Sequence, residues 1–538
     1  MVFRVTGIKV HIDKDKGDLT GKIAHKISVS PEDIRNYKVV KKAIDARKKS
    51  SGEIYFVYTV EIELTPKGNR TLARRRYPGV TLREPEPGIQ MVPGNITLRN
   101  RPVIVGAGPA GIFAALTLAS AGHRPIVFER GQDVETRTAD IDDFWRKHLL
   151  NPESNVQFGE GGAGTFSDGK LTTRVNDPRS NLVLEEFVKA GAPEEILYLH
   201  KPHIGTDKLR SVVVNLRRFI QEQGGDVYFN SKVTGLLVEA NRVTGVIVNG
   251  ETEIPAQVIV MAVGHSARDT YEMLEQLHCP IEQKAFAVGV RVEHPQELID
   301  NAQYGQLAGH PKLGAADYQL VLNSDEMNRS AYTFCMCPGG QVVAAASELN
   351  TVVTNGMSNY ARDTGISNSA VVVSVHPEDF AGVHPLSGVE FQRKWEKAAF
   401  KAGGRNYNAP AQLVGDFLAG RGSTDLEEAP WASYQPGLAP ADMHDCLPGY
   451  INSMLEEAIV AFDRKLKGFS LPTAVLTGVE TRTSAPVRLV RDKYRESTGL
   501  KGMYPIGEGA GYAGGIVSAA IDGIRVAEDI ISRYRRGE

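Results

Sequence analysis

Val103–Gly111 reads VIVGAGPAG. Pro102, Val103, Ile104 and Val105 form a short apolar run suited to a buried strand. Gly106, Gly108 and Gly111 follow at G-x-G-x-x-G spacing. The first glycine permits a tight turn, the second lets backbone approach a pyrophosphate, and the third lets the next helix pack close to the strand. Pro109 and Ala110 open that helix, which continues as IFAALTLASAG. Its free N–H groups and dipole favour negative charge at its start. Pro125–Phe128 then reads as a second strand, closed by Glu129 and Arg130. Glu129 stands 18 residues after Gly111, where a carboxylate can accept both hydroxyls of a ribose. A glycine triplet alone is weak evidence. Strand, turn, helix, strand and terminal acid in this order point to a dinucleotide site.

Three further segments narrow the dinucleotide to FAD. Val258–Gly264 (VIVMAVG) is a strand ending in a small-residue turn at Ala262 and Gly264. Ser231-Lys232-Val233 follows the strand VYFN, and by resemblance to flavoproteins, which often present a backbone contact to adenine there, Val233 is expected to make it. Tyr504–Glu528 runs from a strand through Gly507 and Glu508 to Gly514, Gly515 and Ile516 at a helix start. These features resemble flavoproteins with two dinucleotide domains, of the glutathione-reductase-like branch. The resemblance implies that Glu508 holds the ribityl chain or pyrophosphate, and that Gly514, Gly515 and Ile516 lie near the O2 edge of the flavin. That branch usually carries Asp where this chain has Glu508. The loop Phe158–Lys170 (FGEGGAGTFSDGK) is too glycine-rich for a regular packed element. It is expected to press on the isoalloxazine through Gly162, Gly164 and Thr165, with Ser167 and Lys170 adding polar contacts.

With that loop, Phe334–Gly340 (FCMCPGG), Gly478–Arg488 (GVETRTSAPVR) and IGEGAGYAGGI complete a combination similar to the bacterial FAD-dependent dehydrogenases. The similarity covers nearly the whole chain. It implies the cofactor and leaves the substrate open.

The 538 residues allow several domains, and the hydrophobic (42%) and charged (23%) contents are ordinary for a globular protein. No apolar run reaches the ~18 residues of a membrane helix. The start, MVFRVTGIKV, lacks a signal-peptide pattern, and four cysteines make no disulfide framework. A cytoplasmic protein is expected. Net charge is −2, but residues 1–85 carry +9 and the remainder −11. The expected reason is a separate basic module docked on an acidic surface of the same chain; an external anion such as RNA is the alternative.

The fold class is therefore α/β: a Rossmann-like FAD-binding domain with an inserted α+β substrate domain and a small N-terminal α+β module. Residues 1–95 form the module and linker, 96–280 the first part of the FAD domain, 281–465 the substrate domain and 466–538 the closing part. Within the module, Ser30-Pro31-Glu32-Asp33 reads as a helix start. Ile34, Tyr37, Val40, Ala43 and Ile44 give an approximate helical stripe after it. Residues 66–99, with Pro66, Pro78, Pro85, Pro87 and Pro93, read as a linker outside any core.

The chemistry is less legible. Cys335 and Cys337 form C-x-C, and on a regular strand they share a face. They are weighed as a redox dithiol against two small buried residues. Arg482 is a candidate clamp for an anionic substrate or for reduced flavin, against a place in a salt-bridged segment. His265, His376 and His384 are read as ordinary polar residues, Cys279 and Cys446 as structural, and no metal site is expected. No second strand–G-x-G-x-x-G–helix unit follows residue 131, so NAD(P)H is expected at most as a transient visitor. The reading is an FAD-dependent oxidoreductase with a small-molecule substrate and no membrane partner. Its alternatives are an RNA-modifying flavoenzyme gripping nucleic acid through the basic module, which no base-stacking motif supports, and a non-catalytic flavin sensor.

Overall fold

The computed structural model describes residues 1–84 and 91–537, so Pro85 and Pro87 of the expected linker lie outside the described residues. The N-terminal module is a four-stranded antiparallel sheet, ordered Ile34–Lys48, Glu53–Leu64, Val2–His11 and Val80–Leu82. Helices Thr20–Ile27 and Pro66–Ala73 accompany it. Two expectations are corrected. Residues 34–48 are a strand, and only Pro31–Asp33 turns helically, as one 3-10 turn. The apparent helical stripe comes from bulges. Ile34, Tyr37, Val39, Lys42 and Ile44 lie opposite the inward Leu64, Ile62, Val60, Tyr58 and Phe56, because register shifts insert extra residues. The spacing on that face becomes alternately three and two, which puts Ile34, Tyr37 and Ile44 on one face, while Val40 is the extra residue of a bulge and Ala43, opposite Val57, faces the other way. Residues 66–82 are likewise not linker: Leu72 is buried in the module's core and Val80–Leu82 completes its sheet.

The module docks on the rest of the chain through backbone and polar contacts. Backbone pairing joins Lys42 to Tyr198 and His200. Lys312 donates to the Ile12 and Asp15 carbonyls at 3.1 and 2.6 Å, and His310 Nε2 lies 3.1 Å from Asp13. The contacts run both ways, since Lys49 of the module donates to the Ala302 carbonyl of the body.

Five short parallel strands make the Rossmann sheet, ordered Met503–Pro505, Ile259–Met261, Val103–Val105, Ile126–Phe128 and Asp226–Tyr228. The three central ones are almost wholly apolar, as parallel strands covered on both faces must be. Helices Pro109–Ser120 and Ile516–Arg533 pack together in its core. The antiparallel strands Val233–Glu239, Arg242–Val248 and Thr252–Pro255 intervene before the chain returns to Ile259.

The second large sheet has seven strands: Val321–Ser324, Arg329–Cys337, Ile366–Val375, Phe286–Pro295, Val475–Glu480, Ala409–Leu413 and Leu438–Pro440. It extends past residue 465, because Val475–Glu480 pairs on both sides inside it. The return to the Rossmann sheet comes only at Met503. Among the described residues, no helix is long and apolar enough to cross a membrane.

A buried ion cluster ties the two halves together. Glu396, on the helix Ser387–Ala402, is wholly buried. Arg268, from the start of a helix on the Rossmann side, donates to its oxygens at 2.9 and 2.7 Å. Arg482, just past Val475–Glu480, donates at 3.0 and 2.9 Å, and Thr481 Oγ1 at 2.8 Å. Burial alone would raise the Glu396 pKa, but Arg268 and Arg482 outweigh it and hold the carboxyl well below the usual range. A depressed folded pKa contributes stability above the unfolded value of ~4.3, lost as pH falls toward the folded one. Arg268 keeps a second acid in Glu348 at 2.5 Å, so removing the Glu396 charge strips chiefly Arg482 and should cost about 3 kcal/mol. Urea unfolding of Glu396→Gln at neutral pH measures this, and a loss below about 1 kcal/mol would contradict the role.

Candidate functional site

A cavity of about 1450 Å³ lies between the Rossmann sheet and the seven-stranded sheet. The turn after Val105 supplies one end. Gly108 is extended and immediately precedes the helix Pro109–Ser120. Gly162 faces it at φ 63°, and a Cβ built on Gly162 would stand 3.0 Å from the Gly108 Cα. Two backbone turns thus meet with no side chain between them. The helix Ile516–Arg533 starts at the same cavity through Gly514 and Gly515, where an added Cβ would meet nothing within 4 Å.

Two buried charges hold the loops in place. Glu129 Oε2 accepts from the Ala107 amide at 2.7 Å, and Oε1 from the amides of Gly131 and Gly159 at 2.9 Å each. Three of the roughly four lone-pair positions of the carboxylate are therefore used by backbone. One position on Oε2 remains for a ribose hydroxyl. Arg137 is fully buried and donates to the carbonyls of Asn155, Val156, Glu160 and Gly162. Burial lowers its pKa to about 9. Arg137 stitches the 155–162 loop to the helix Val134–Lys147. The sequence offers no sign of this, since Arg137 sits in an ordinary polar helix stretch.

Of the residues singled out in the sequence, the cavity is lined by Gly106, Gly108, Pro109, Ala110, Glu129, Arg130, Gly162, Gly164, Ser167, Lys170, Val233, Ala262 and Gly264. Gly507, Glu508, Gly514, Gly515, Ile516, Cys335 and Arg482 line it too. Gly111, Thr165 and Cys337 do not. A Cβ on Gly111 would lie 2.0 Å from the Gly106 carbonyl oxygen, so its place is helix–turn packing. Thr165 is buried and supports the loop: its hydroxyl donates to Glu160 O at 3.2 Å. Arg130 pairs with both Asp269 oxygens and Glu153 and lies 4.2 Å from the Phe158 ring.

Arg482 is not a free clamp. Besides Glu396, its guanidinium donates to Ser347 and Ser266 at 2.6 and 3.0 Å, which leaves one of its five donors. His265 lies beside it and is pushed down to about 3 by burial, with Arg482 and Arg268 adding to the effect. It is neutral at physiological pH. His384 does not line the cavity, and His376 does.

The two cysteines do not share a strand face. A bulge between Phe334 and Cys337 adds a residue to the strand, and Cys335 adopts φ 44°. Cys335 lines the cavity, while Cys337 is buried. Two donors hold the unusual Cys335 peptide: Arg291 Nη1 at 3.0 Å and Cys337 Sγ at 3.3 Å, both to its carbonyl oxygen. Arg291 is itself fully buried and paired with Glu480 at 2.9 and 3.0 Å. The Cys335 thiol is held well below its usual pKa by the adjacent Cys337 thiol and by the charges of Lys170 and Arg291. Glu508 lines the same cavity and makes no hydrogen bond through its carboxyl among the described residues. Burial pushes it up to about 7, against the pull of Lys284. Lys284, which sequence reading passed over, donates to Ser484 Oγ at 2.7 Å. Among the described residues, no group of three metal-ligating side chains could hold an ion.

These walls fit FAD. Two helix starts and a cradle without side chains suit pyrophosphate and the electron-rich ring edge, and the spare Glu129 lone pair suits a ribose hydroxyl.

Three family models match the chain: FAD-dependent protein, C-terminal domain-like, over residues 285–483; an NAD(P)-binding Rossmann-like domain over 104–156; and a domain of unknown function over 3–63. An uncharacterised protein of Clostridium beijerinckii is 51% identical over 534 residues, covering 99% of each chain. Among solved structures, the flavin-dependent brominase Bmp2 aligns at 12% identity and TM-score 0.36, over 80% of this chain and 78% of its own. A geranylgeranyl bacteriochlorophyll reductase-like protein of Thermoplasma acidophilum aligns at 13% and 0.34, over 80% and 77%. CtdE, solved in complex with FAD, aligns at 13% and 0.30, over 80% and 87%.

Two outcomes are expected. A Cβ on Gly108 would meet only the Gly162 Cα, at 3.9 Å. Gly108→Ala should therefore fold as the parent does by circular dichroism, while binding FAD at least about tenfold more weakly in equilibrium dialysis. Unchanged affinity would refute the placement of the pyrophosphate. In iodoacetamide labelling followed by mass spectrometry, Cys335 should react before Cys279, Cys337 and Cys446, with a pH midpoint below ~8.5. A midpoint at or above that value would contradict the thiolate.

Proposed function

This chain belongs to a family of FAD-dependent proteins, and we propose that it acts as an oxidoreductase on a small molecule held beside the flavin. When bound, FAD supplies hydride or electron transfer. The residues that would hold it are the Gly106–Ala110 turn and Glu129 at the adenosine and pyrophosphate end, with the Gly162–Gly164 turn and Gly514–Ile516 around the ring.

The observation that carries the reading is the size and reach of the cavity. Pockets for one drug-sized ligand span ~300–1,000 Å³, and this one is about 1450 Å³. It continues past the dinucleotide turns to the outer strands of the seven-stranded sheet, so a second reactant has a place. Groups able to exchange protons stand on that side. Glu508, near 7, can hold or release one at neutral pH, and Cys335 can accept one as thiolate. Lys170 and Lys284 balance the charge that such an exchange leaves. A mere flavin sensor has no need of this second compartment. Residues 1–84 contribute nothing to the cavity lining, which favours a small substrate over a polymer gripped by the basic module.

The protein reconstituted with FAD should be reduced by dithionite without air and then reoxidised by a small quinone through repeated cycles. Visible flavin absorbance follows each cycle. Flavin that neither a small donor nor a small acceptor reaches would favour a sensor.

A further inference from the structure

The far lobe of the cavity has a wall of definite chemistry. Along Arg329–Cys337, the residues Ser330, Tyr332 and Phe334 alternate onto one face. Register sets Tyr332 against Val372 and Phe334 against Ala370. Ala287, Ala370 and Val372 form a small apolar cluster that Tyr332 and Phe334 cap while themselves only partly covered. The other face of the same strands, with Ala331, Val371 and Val373, is shut into the main core. Ser330, Tyr332, Phe334 and Ser374 all line the cavity, and the loop Thr172–Val175 lines it as well. The lobe thus presents flat aromatic surface that nothing within the chain fully covers.

Its charge is one-sided. Four carboxylates line the whole cavity: Glu129, Asp168, Glu480 and Glu508. Backbone amides take up the first, Arg362 and Ser358 the second, and Arg291 the third. Glu508 is half protonated near neutrality and lies by Lys284. Of the cations that line the cavity, Arg130, Lys232 and Arg482 are paired with Glu153, Asp269 and Glu396, and Lys284 lies by Glu508, which leaves Lys170 and Arg174. Lys170 Nζ is 3.7 Å from an Asp168 oxygen already bound by Arg362. Arg174 has no acceptor for its guanidinium among the described residues, and from an exposed loop position it lines the cavity. A guanidinium's planar fork matches a carboxylate with two parallel hydrogen bonds.

Resting on the oxidoreductase reading, we propose that the substrate is a planar carboxylate, aromatic or conjugated, whose body lies on Tyr332 and Phe334 and whose anion meets Arg174. Cys335 directly follows Phe334, so the far end of such a molecule comes to the bulge that presents the thiol. Apolar contact supplies the area-dependent part of binding, and the cation supplies the discrimination between acid and neutral isostere.

Benzoate and benzamide have the same shape and differ in charge. Calorimetric titration of the FAD-loaded protein should give benzoate binding at least about tenfold tighter than benzamide. Arg174→Gln should remove that difference by weakening benzoate, with benzamide and FAD content unchanged. Tyr332→Ser should weaken both. The same titration on FAD-free protein reads the lobe alone, so failure to take up FAD sinks the functional reading without deciding this one. Equal binding of the two probes, or an Arg174→Gln protein that still prefers benzoate, would overturn the assignment. So would NADPH binding lost in Arg174→Gln with no benzoate binding at all, which would give the lobe to a reduced nicotinamide.

Discussion

The arrangement of the site depends on one carboxylate between two guanidiniums. Glu396 comes from the helix Ser387–Ala402, Arg268 from the Rossmann half, and Arg482 from the segment leaving the strand Val475–Glu480. The functional cavity lies between the two sheets that these residues join. A buried ion cluster is a costly way to hold two halves together, since apolar contact of similar volume is often as stable. It does fix geometry, because charge-assisted hydrogen bonds tolerate little displacement. Ser266, which accepts from Arg482, neighbours His265 at the cavity wall, so the cluster reaches the cavity directly.

The same device recurs on a smaller scale. Glu129 gathers amides from three separate turns, and Arg137 gathers four carbonyls of the 155–162 loop. Arg291 with Glu480 braces the bulge at Cys335. In each case a buried charge is satisfied by backbone or by an opposite charge, as burial requires. In each case the segment so held brings residues to the cavity wall: Gly159, Gly162 and Cys335. Glycine-rich segments such as residues 158–170 have little structure of their own. Here their shape comes from charged side chains elsewhere in the chain.

That explains what could be read in advance. The dinucleotide half was legible because its signals are local: the glycines after Val105, the acid after Phe128, the small residues before Ile516. The distant closing strand was legible for the same reason. The strand at residues 34–48 was not, since two bulges between Ile34 and Ile44 broke the alternation that marks a strand. Arg482 was weighed as a clamp against a place in a salt-bridged segment, and its partner Glu396 could not be named, because ion pairing across more than eighty residues leaves no local pattern. Cys335 and Cys337 were expected on one face of a regular strand, and a single inserted residue left Cys335 at the cavity and Cys337 buried beside it. Arg137 and Lys284 were missed for want of any motif.

The central claim is that FAD occupies one part of the cavity and leaves the aromatic lobe free for a second molecule. A crystal structure of the protein with FAD tests it most directly. The account predicts the pyrophosphate at the start of the helix Pro109–Ser120, the ring between the Gly162–Gly164 turn and Gly514–Ile516, and solvent against Tyr332 and Phe334. A flavin ring lying on Tyr332 and Phe334, filling the lobe, would contradict it.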